Sequence, residues 1–219
     1  MEKGMTYRTI RHEAEAEIIE KKSRFIAAAK PVLTEQEALD FINSKRSRFY
    51  DASHNVYAYV LSENNIARFS DDGEPSGTAG MPVMEILKKE NLTDLVVVVT
   101  RYFGGTLLGA GGLIRTYGKS AKEGVTAAGI TERVYCHETV ITAGYEWLGK
   151  LRHMVENGGY ILGEIEYDEC IHLHVCVRYD LIERFQKELT ELSNAALTAE
   201  IRGCRYVDMD VAASSDDNV

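Results

Sequence analysis

The stretch LVVVVTRYFGGTLLGAGGLIRTYGKSAKE, which runs from Leu95 to Glu123, decides the fold of the first half of the chain. Its first five residues are all apolar, as a strand covered on both faces of a sheet requires. Five glycines then fall within nine residues, Gly104 to Gly112, and the pattern from Leu113 to Ala128 predicts a helix. This order of buried strand, glycine turn and helix predicts a mixed α/β domain.

A glycine turn that enters a helix is typical of an anion site, because the first N–H groups of the helix point at the turn. The segment matches neither the P-loop nor the dinucleotide fingerprint, since Leu113 and Ile114 stand where those motifs need glycine. GEPSG at Gly73–Gly77 also fails the esterase pattern G-x-S-x-G. These mismatches count against an ATPase, a Rossmann enzyme and a serine hydrolase. A looser anion site and a tight packing corner remain as the two interpretations.

Basic and aromatic residues surround the glycine turn. Arg115, Lys119 and Lys122 are spaced i, i+4 and i+7 and therefore share one helix face, and Tyr102 and Phe103 are able to stack on a base or to pack in the core. The predicted anion- or nucleic-acid-binding residues are Arg101, Tyr102, Phe103, Gly104, Gly105, Gly109, Gly111, Gly112, Arg115, Lys119 and Lys122.

The loop SDDGEPSGTAG gathers three carboxylates in four residues. They suit Mg²⁺ or the arginines of a partner, whereas Asp72-Gly73 and Pro75 are also ordinary turn chemistry. Thr78 is predicted to cap the next helix, Thr78 to Glu90. We assign no metal and no cofactor, and keep Mg²⁺ as the alternative. The acidic motif loop consists of Asp71, Asp72, Gly73, Glu74, Pro75, Gly77 and Thr78.

Composition and charge indicate a soluble protein of the cytoplasm. Hydrophobic residues make up 45% of the 219 residues, but no apolar run approaches the roughly 20 residues that cross a bilayer, and no secretory signal is visible. The four cysteines form no CxxC pair and are interpreted as free thiols. The net charge of -9 belongs to the last ninety residues, since residues 1–129 hold 17 basic and 17 acidic side chains.

The change in charge balance predicts two domains, residues 1–129 and residues 130–211, followed by a disordered tail at 212–219. In the second domain we expect the element order βαββαβ, which is the ferredoxin-like arrangement. One of its strands alternates Cys170, His172, His174 and Cys176 with apolar residues. Side chains at i and i+2 of a strand lie roughly 7 Å apart, so this row is interpreted as a sheet face and not as a metal site. His54 has no evident catalytic partner.

The motif SDDGEPSGTAGMP followed by LVVVVTRYFGGTLLGAGGLIRTYGKSA resembles the IMPACT family, bacterial YigZ/YvyE type. The resemblance implies an α+β protein of two domains. The first would be an α/β domain similar to domain two of ribosomal protein S-five and to domain IV of elongation factor G, and the second would be ferredoxin-like. It also implies a role near translation, because eukaryotic relatives regulate translation through protein partners, and bacterial relatives are associated with nucleic acid or the ribosome. The family supplies no catalytic residues.

Three functions follow from these patterns. We favour a non-enzymatic protein that contacts RNA, the ribosome or translation factors through the first domain, with Lys45, Arg46 and Arg48 as a second basic patch. The first alternative is an Mg²⁺-dependent enzyme or a binder of a phosphorylated or nucleotide ligand. The second is a protein-interaction regulator whose acidic loop faces a basic partner.

Overall fold

The structure is a computed structural model that describes residues 6–210. The chain divides into two compact units, Tyr7–Glu132 and Arg133–Asp208. The predicted tail at 212–219 lies outside the described residues. The predicted α+β architecture of two domains is confirmed, whereas the likeness of the first domain to a ribosomal protein domain stays a prediction.

The first unit contains six strands and three α-helices. They are β1 (Tyr7–Ile10), β2 (Ala14–Glu20), β3 (Ser23–Pro31), α1 (Glu35–Arg48), β4 (His54–Leu61), β5 (Ile66–Ser70), α2 (Gly80–Lys89), β6 (Leu95–Tyr102) and α3 (Ala110–Ala127). Strand β1 is absent from the sequence-based prediction.

The main sheet of this unit has the order β2-β3-β6-β4-β5, with every neighbouring pair antiparallel. Strand β6 lies at its centre, as its apolar run predicts. Val97 and Val99 pack in one core with α2 and α3, whereas Val96 and Val98 pack in a second core with α1. Because successive side chains of a strand point to opposite faces, a strand covered on both faces needs an unbroken apolar run.

Helix α1 begins directly after a local capping residue, Thr34. Thr34 Oγ1 accepts a hydrogen bond from the backbone N–H of Glu37 at 3.2 Å. Glu37 Oε2 in turn accepts one from the N–H of Leu33 at 2.8 Å, one residue earlier than an ideal capping box requires. The start of the helix is therefore fixed by local sequence.

The second unit has the predicted βαββαβ order. It consists of β7 (Ile130–Ala143), α4 (Leu148–Asn157), β8 (Ile161–Tyr167), β9 (Ile171–Arg178), α5 (Ile182–Ser193) and β10 (Ala199–Asp210). Strand β7 pairs with β9 and β10, and β9 pairs with β8. The two βαβ halves therefore interleave, as in the split βαβ arrangement. The core of this unit contains Phe185 and Leu189 from α5 and Leu151 and Val155 from α4.

Candidate functional site

Arg101 occupies a different place from the one predicted for an anion-binding residue. It is only 5% exposed, and its Nη1 lies 2.5 Å from Glu74 Oε1, which also accepts a hydrogen bond from the Tyr117 hydroxyl at 2.8 Å. Burial, together with the Glu74 carboxylate, raises the pKa of Tyr117 far above its usual value, so the hydroxyl remains a donor. Arg101 therefore joins the acidic loop to β6 and α3 instead of facing solvent.

The acidic loop is held by its own carboxylates. Asp71 accepts hydrogen bonds from the backbone N–H groups of Gly77 at 2.8 Å, Ala79 at 3.1 Å and Gly80 at 2.8 Å. It thereby satisfies donors at the start of α2 that have no partner within the helix. The prediction that Thr78 caps α2 is wrong, because the Thr78 hydroxyl donates to the carbonyl of Pro75 at 2.7 Å.

Asp72 is also engaged through both carboxylate oxygens. Oδ2 accepts from the backbone N–H of Asn55 at 2.7 Å, and Oδ1 accepts from Arg46 Nη2 at 2.9 Å. Within residues 6–210, the carboxylates of Asp71, Asp72 and Glu74 do not come close enough together to share a metal ion. This geometry gives the magnesium alternative no support. It also leaves few free acceptors for a basic partner.

The glycines of the turn divide between the two interpretations. A Cβ on Gly104 would overlap the backbone carbonyl of Lys22, so Gly104 is a packing glycine. Gly105 and Gly109 have φ values of +79° and +71°, and a Cβ on either would meet open space. These two are glycines because side chains disfavour that conformation.

Helix α3 begins at Ala110, three residues before the predicted start. Gly111 and Gly112 therefore lie in its first turn. The residue before the helix is Gly109, which has no side chain to cap the first N–H groups. The first N–H groups of α3 and the positive end of its dipole thus remain available at an exposed corner.

Two cavities flank Leu108 at this corner, and Leu108 lines both. The first, which we call the apolar cavity, has a volume of about 390 Å³. The second, which we call the cationic cavity, has a volume of about 160 Å³. The apolar cavity is lined by His54, Glu74, Pro75, Arg101, Phe103, Leu107, Leu108, Gly109, Ala110 and Leu113. The cationic cavity is lined by Ile18, Ile19, Glu20, Lys21, Leu108, Gly112, Arg115, Thr116 and Lys119.

His54 lies on the wall of the apolar cavity because strand register brings it there. It is paired with Arg101 across β4 and β6. Its Nδ1 lies 2.8 Å from the backbone carbonyl of Asp72, which fixes the proton on Nδ1. Its Nε2 lies 3.9 Å from Glu74 Oε2, beyond hydrogen-bonding distance. Both atoms can therefore meet a polar group of a ligand.

Other predicted basic and aromatic residues already have partners. Lys122 pairs with Glu90 at 2.8 Å, away from the cationic cavity that Arg115 and Lys119 line. The hydroxyl of Tyr102 donates to Asp51 at 2.8 Å, whereas Phe103 remains 49% exposed. In the expected second basic patch, each of the three cations Lys45, Arg46 and Arg48 contacts a carboxylate at 3.0 Å or less.

Lys21 is a site residue that the sequence prediction did not include. Strands β2 and β3 pair up to Glu20 and Ser23, so Lys21 and Lys22 alone form the turn, with φ values of 44° and 67°. Two-residue turns of this kind strongly favour Asn-Gly. A Lys-Lys pair between two strands is the sequence signal that would have identified this turn as unusual.

The four side chains of the Cys/His row, which runs from the turn before β9 into that strand, lie in different environments. Cys176 is buried, and His174 Nε2 lies 3.2 Å from Glu166 Oε1. Cys170 and His172 approach each other and Asp168, a residue of the turn before the strand. Asp168 continues the alternating row by two residues, but spacing alone did not predict this group, because a straight strand holds side chains at i and i+2 roughly 7 Å apart.

None of the helices that the structure describes is long and apolar enough to cross a membrane.

Both units match known protein families. Residues 21–125 match the Impact N-terminal domain, and residues 141–196 match a domain of unknown function, DUF1949. The chain is 45% identical to the IMPACT family member YvyE of Bacillus subtilis over 190 residues, which cover 86% of this chain and 88% of the relative.

Two further relatives extend the match. The IMPACT family member YigZ of Escherichia coli is 30% identical, over 81% of this chain and 88% of its own. A crystal structure described as a hypothetical protein superposes with a TM-score of 0.57 at 26% identity, covering 90% of this chain and 97% of that one. The chain belongs to the IMPACT family and is of the bacterial YvyE and YigZ type.

Proposed function

We propose that the protein is a non-enzymatic RNA-binding protein of the translation apparatus, acting in the cytoplasm. The observation that carries the proposal is the pairing of a cationic cavity with an apolar cavity on the two sides of Leu108. Single-stranded nucleic acid is bound by this combination, in which cations follow the phosphates and aromatic side chains stack on the bases.

The cationic cavity suits one phosphate of the RNA backbone. Lys21, Arg115 and Lys119 line it, against one carboxylate, Glu20. Gly112 of the first turn of α3 also lines it, so the positive end of the helix adds to the side-chain charge. The two strained lysines of the β2–β3 turn support the proposal, since backbone strain concentrates at functional sites.

The apolar cavity suits a base. Phe103 is half-exposed and offers a ring for stacking, with Leu107 and Leu108 beside it. His54 Nε2 and Glu74 Oε2 offer acceptors to the edge of the base. Arg101 shapes this cavity through its ion pair with Glu74 and contacts no phosphate directly.

The family resemblance supports a role in translation for the RNA-binding surface. The first alternative, an enzyme using Mg²⁺, finds no converging carboxylates in the acidic loop. The second, a protein-interaction regulator, loses the free acidic face on which it relied, because Asp71 and Asp72 are bound by the protein itself.

Fluorescence anisotropy with a labelled single-stranded RNA tests the proposal. The double variant Arg115→Ala/Lys119→Ala removes two exposed charge contacts of about 1 kcal/mol each. We therefore expect its affinity for RNA to be about 30-fold lower. The matched control is Lys88→Ala/Lys89→Ala, which removes two exposed lysines at the end of α2. Equal losses in both pairs, or no RNA binding by the unaltered protein, would contradict the proposed site.

A second variant tests the base contact. Phe103→Ala should cost about 1–3 kcal/mol, the usual contribution of one stacked base, with no change in the dependence on salt. Pull-down from a lysate with and without nuclease separates RNA binding from a protein partner. Capture that survives nuclease would favour the protein-interaction alternative.

A further inference from the structure

The turn between β8 and β9 brings three potential metal ligands together. Asp168 and Cys170 belong to this turn, and His172 is the second residue of β9. The backbone fixes the carboxylate, because the N–H of Cys170 donates to Asp168 Oδ1 at 2.8 Å and the N–H of Asp168 donates to the carbonyl of Cys170 at 3.0 Å. The hydroxyl of Tyr145 donates to the Asp168 carbonyl at 2.6 Å, which holds the turn from a neighbouring element.

One ligand atom from each of the three residues lies within 4.8 Å of the other two. Cys170 Sγ lies 3.6 Å from His172 Nε2 and 3.3 Å from Asp168 Oδ1, and His172 Nε2 lies 3.1 Å from Asp168 Oδ2. Tetrahedral zinc with bonds of about 2.0–2.3 Å separates such ligands by about 3.4–3.6 Å. The two Asp168 distances belong to different oxygens, so the carboxylate has to rotate to present one oxygen to the metal while the three ligand atoms close to this separation.

The other nitrogen of His172 already has the partner that a ligating histidine needs. Its Nδ1 lies 3.0 Å from Thr142 Oγ1, on the residue paired with it across β7 and β9. Ligating histidines usually donate their second ring N–H to such a group, which fixes the tautomer and the ring orientation. This contact holds the ring so that Nε2 faces Cys170 and Asp168, where without a metal its N–H donates to Asp168 Oδ2 at 3.1 Å.

We propose that Asp168, Cys170 and His172 bind one zinc ion with a water molecule as the fourth ligand. A thiolate and an imidazole favour zinc over magnesium or calcium. On binding, the sulfur–hydrogen bond of Cys170 breaks, its proton passes to solvent, and a sulfur–zinc bond forms. His172 releases its Nε2 proton to solvent and takes one up from solvent at Nδ1, where Thr142 Oγ1 accepts it, so that Nε2 binds the metal. Asp168 exchanges its hydrogen bond from His172 for a bond to the metal and keeps the one from the backbone N–H of Cys170.

The fourth position has space for a ligand other than water. Asp168 and His172 line a cavity of about 410 Å³. The remaining residues of its wall are Val140, Glu166, Tyr167, His174 and Arg202. Structural zinc sites are closed by four protein ligands, whereas three protein ligands leave the metal open to exchange. The proposed centre is of the open kind and does not depend on the RNA-binding surface of the first unit.

Calorimetric titration of the full chain with zinc chloride, and absorption spectra with cobalt(II), test the site. We expect one zinc per chain and a thiolate-to-cobalt charge-transfer band. Cys170→Ser should abolish the band and weaken zinc binding at least about 100-fold, beyond the effect typical of an outer-shell change. The control is Cys204→Ser, because Cys204 is an exposed thiol 3.3 Å from His137 and should leave both readings unchanged.

Two further variants separate the roles of the ligands. His172→Gln should lose zinc binding, and Thr142→Val should keep the cobalt band but bind zinc about 10-fold more weakly. These side chains are exposed or half-buried, so circular dichroism should show unchanged folding. The proposal is overturned if the unaltered chain binds no zinc or if Cys170→Ser binds zinc as tightly as the unaltered chain. Loss of the cobalt band in Cys204→Ser would also overturn it.

Discussion

Replacing Lys21-Lys22 by Asn-Gly should raise stability and lower RNA affinity at the same time. Both lysines have positive φ values, 44° and 67°, and the left-handed conformation costs a side-chain-bearing residue roughly 1–2 kcal/mol. Asn-Gly is the pair that such a turn favours, so we expect a gain of about 1–2 kcal/mol in the free energy of unfolding. For a chain of this length, each kcal/mol raises Tm by roughly 2–4 °C.

The same substitution removes Lys21 from the cationic cavity. We expect RNA affinity to fall about 10-fold, which is the loss of a little over 1 kcal/mol. Thermal unfolding followed by circular dichroism and RNA anisotropy on one preparation measure both effects. Lys21→Arg/Lys22→Arg keeps charge and strain and should change neither. If the Asn-Gly variant is no more stable than the unaltered chain, the proposed backbone strain in the Lys21-Lys22 turn is refuted. If the variant binds RNA as tightly as before, the role of Lys21 in RNA binding is refuted.

Three further results are expected from the first unit. Glu74→Ala should lower the free energy of unfolding by about 3–5 kcal/mol, because it leaves the buried Arg101 charge uncompensated; urea denaturation measures this, and a loss near zero would contradict the ion pair. Gly104→Ala should be more destabilising in the same assay than Gly105→Ala, since only the first places a Cβ against backbone. Burial alone would raise the pKa of Glu15, but the hydrogen bond from Lys45 and the nearby charges hold it below its usual value. The contribution of Glu15 to stability is therefore present above the ordinary glutamate pKa and is lost as the pH falls through the lowered pKa of the folded state. Between neutral and acid pH, the free energy of unfolding of Glu15→Gln should therefore fall less than that of the unaltered chain.

The elements that the sequence predicted are those that local pattern determines. The apolar run of β6 and the βαββαβ order of the second unit both follow from periodicity along the chain. The start of α2 did not, because Asp71 caps it from nine residues before Gly80, whereas Thr78 carries the local signal.

The charges were harder to place than the elements. Arg101 looks like an exposed cation because it stands at the end of an apolar run, but the fold brings Glu74, 27 residues earlier, against it. Asp168 is only four residues from His172, but the two meet because the turn bends back on the strand, and alternation along the strand does not encode that bend. Pairing between distant residues depends on tertiary geometry, which residue spacing does not encode. Arg115 and Lys119 were predictable because their helix alone sets their positions.

The dependence of RNA affinity on salt tests the central proposal most directly. Each phosphate neutralised on a single strand contributes about 0.7 to the slope of log affinity against log salt. If Arg115 and Lys119 together neutralise the one phosphate in the cationic cavity, Arg115→Ala/Lys119→Ala should reduce the slope by about 0.7, while Lys88→Ala/Lys89→Ala leaves it unchanged. An identical slope in the unaltered protein and the first variant would mean that RNA does not bind at the start of α3.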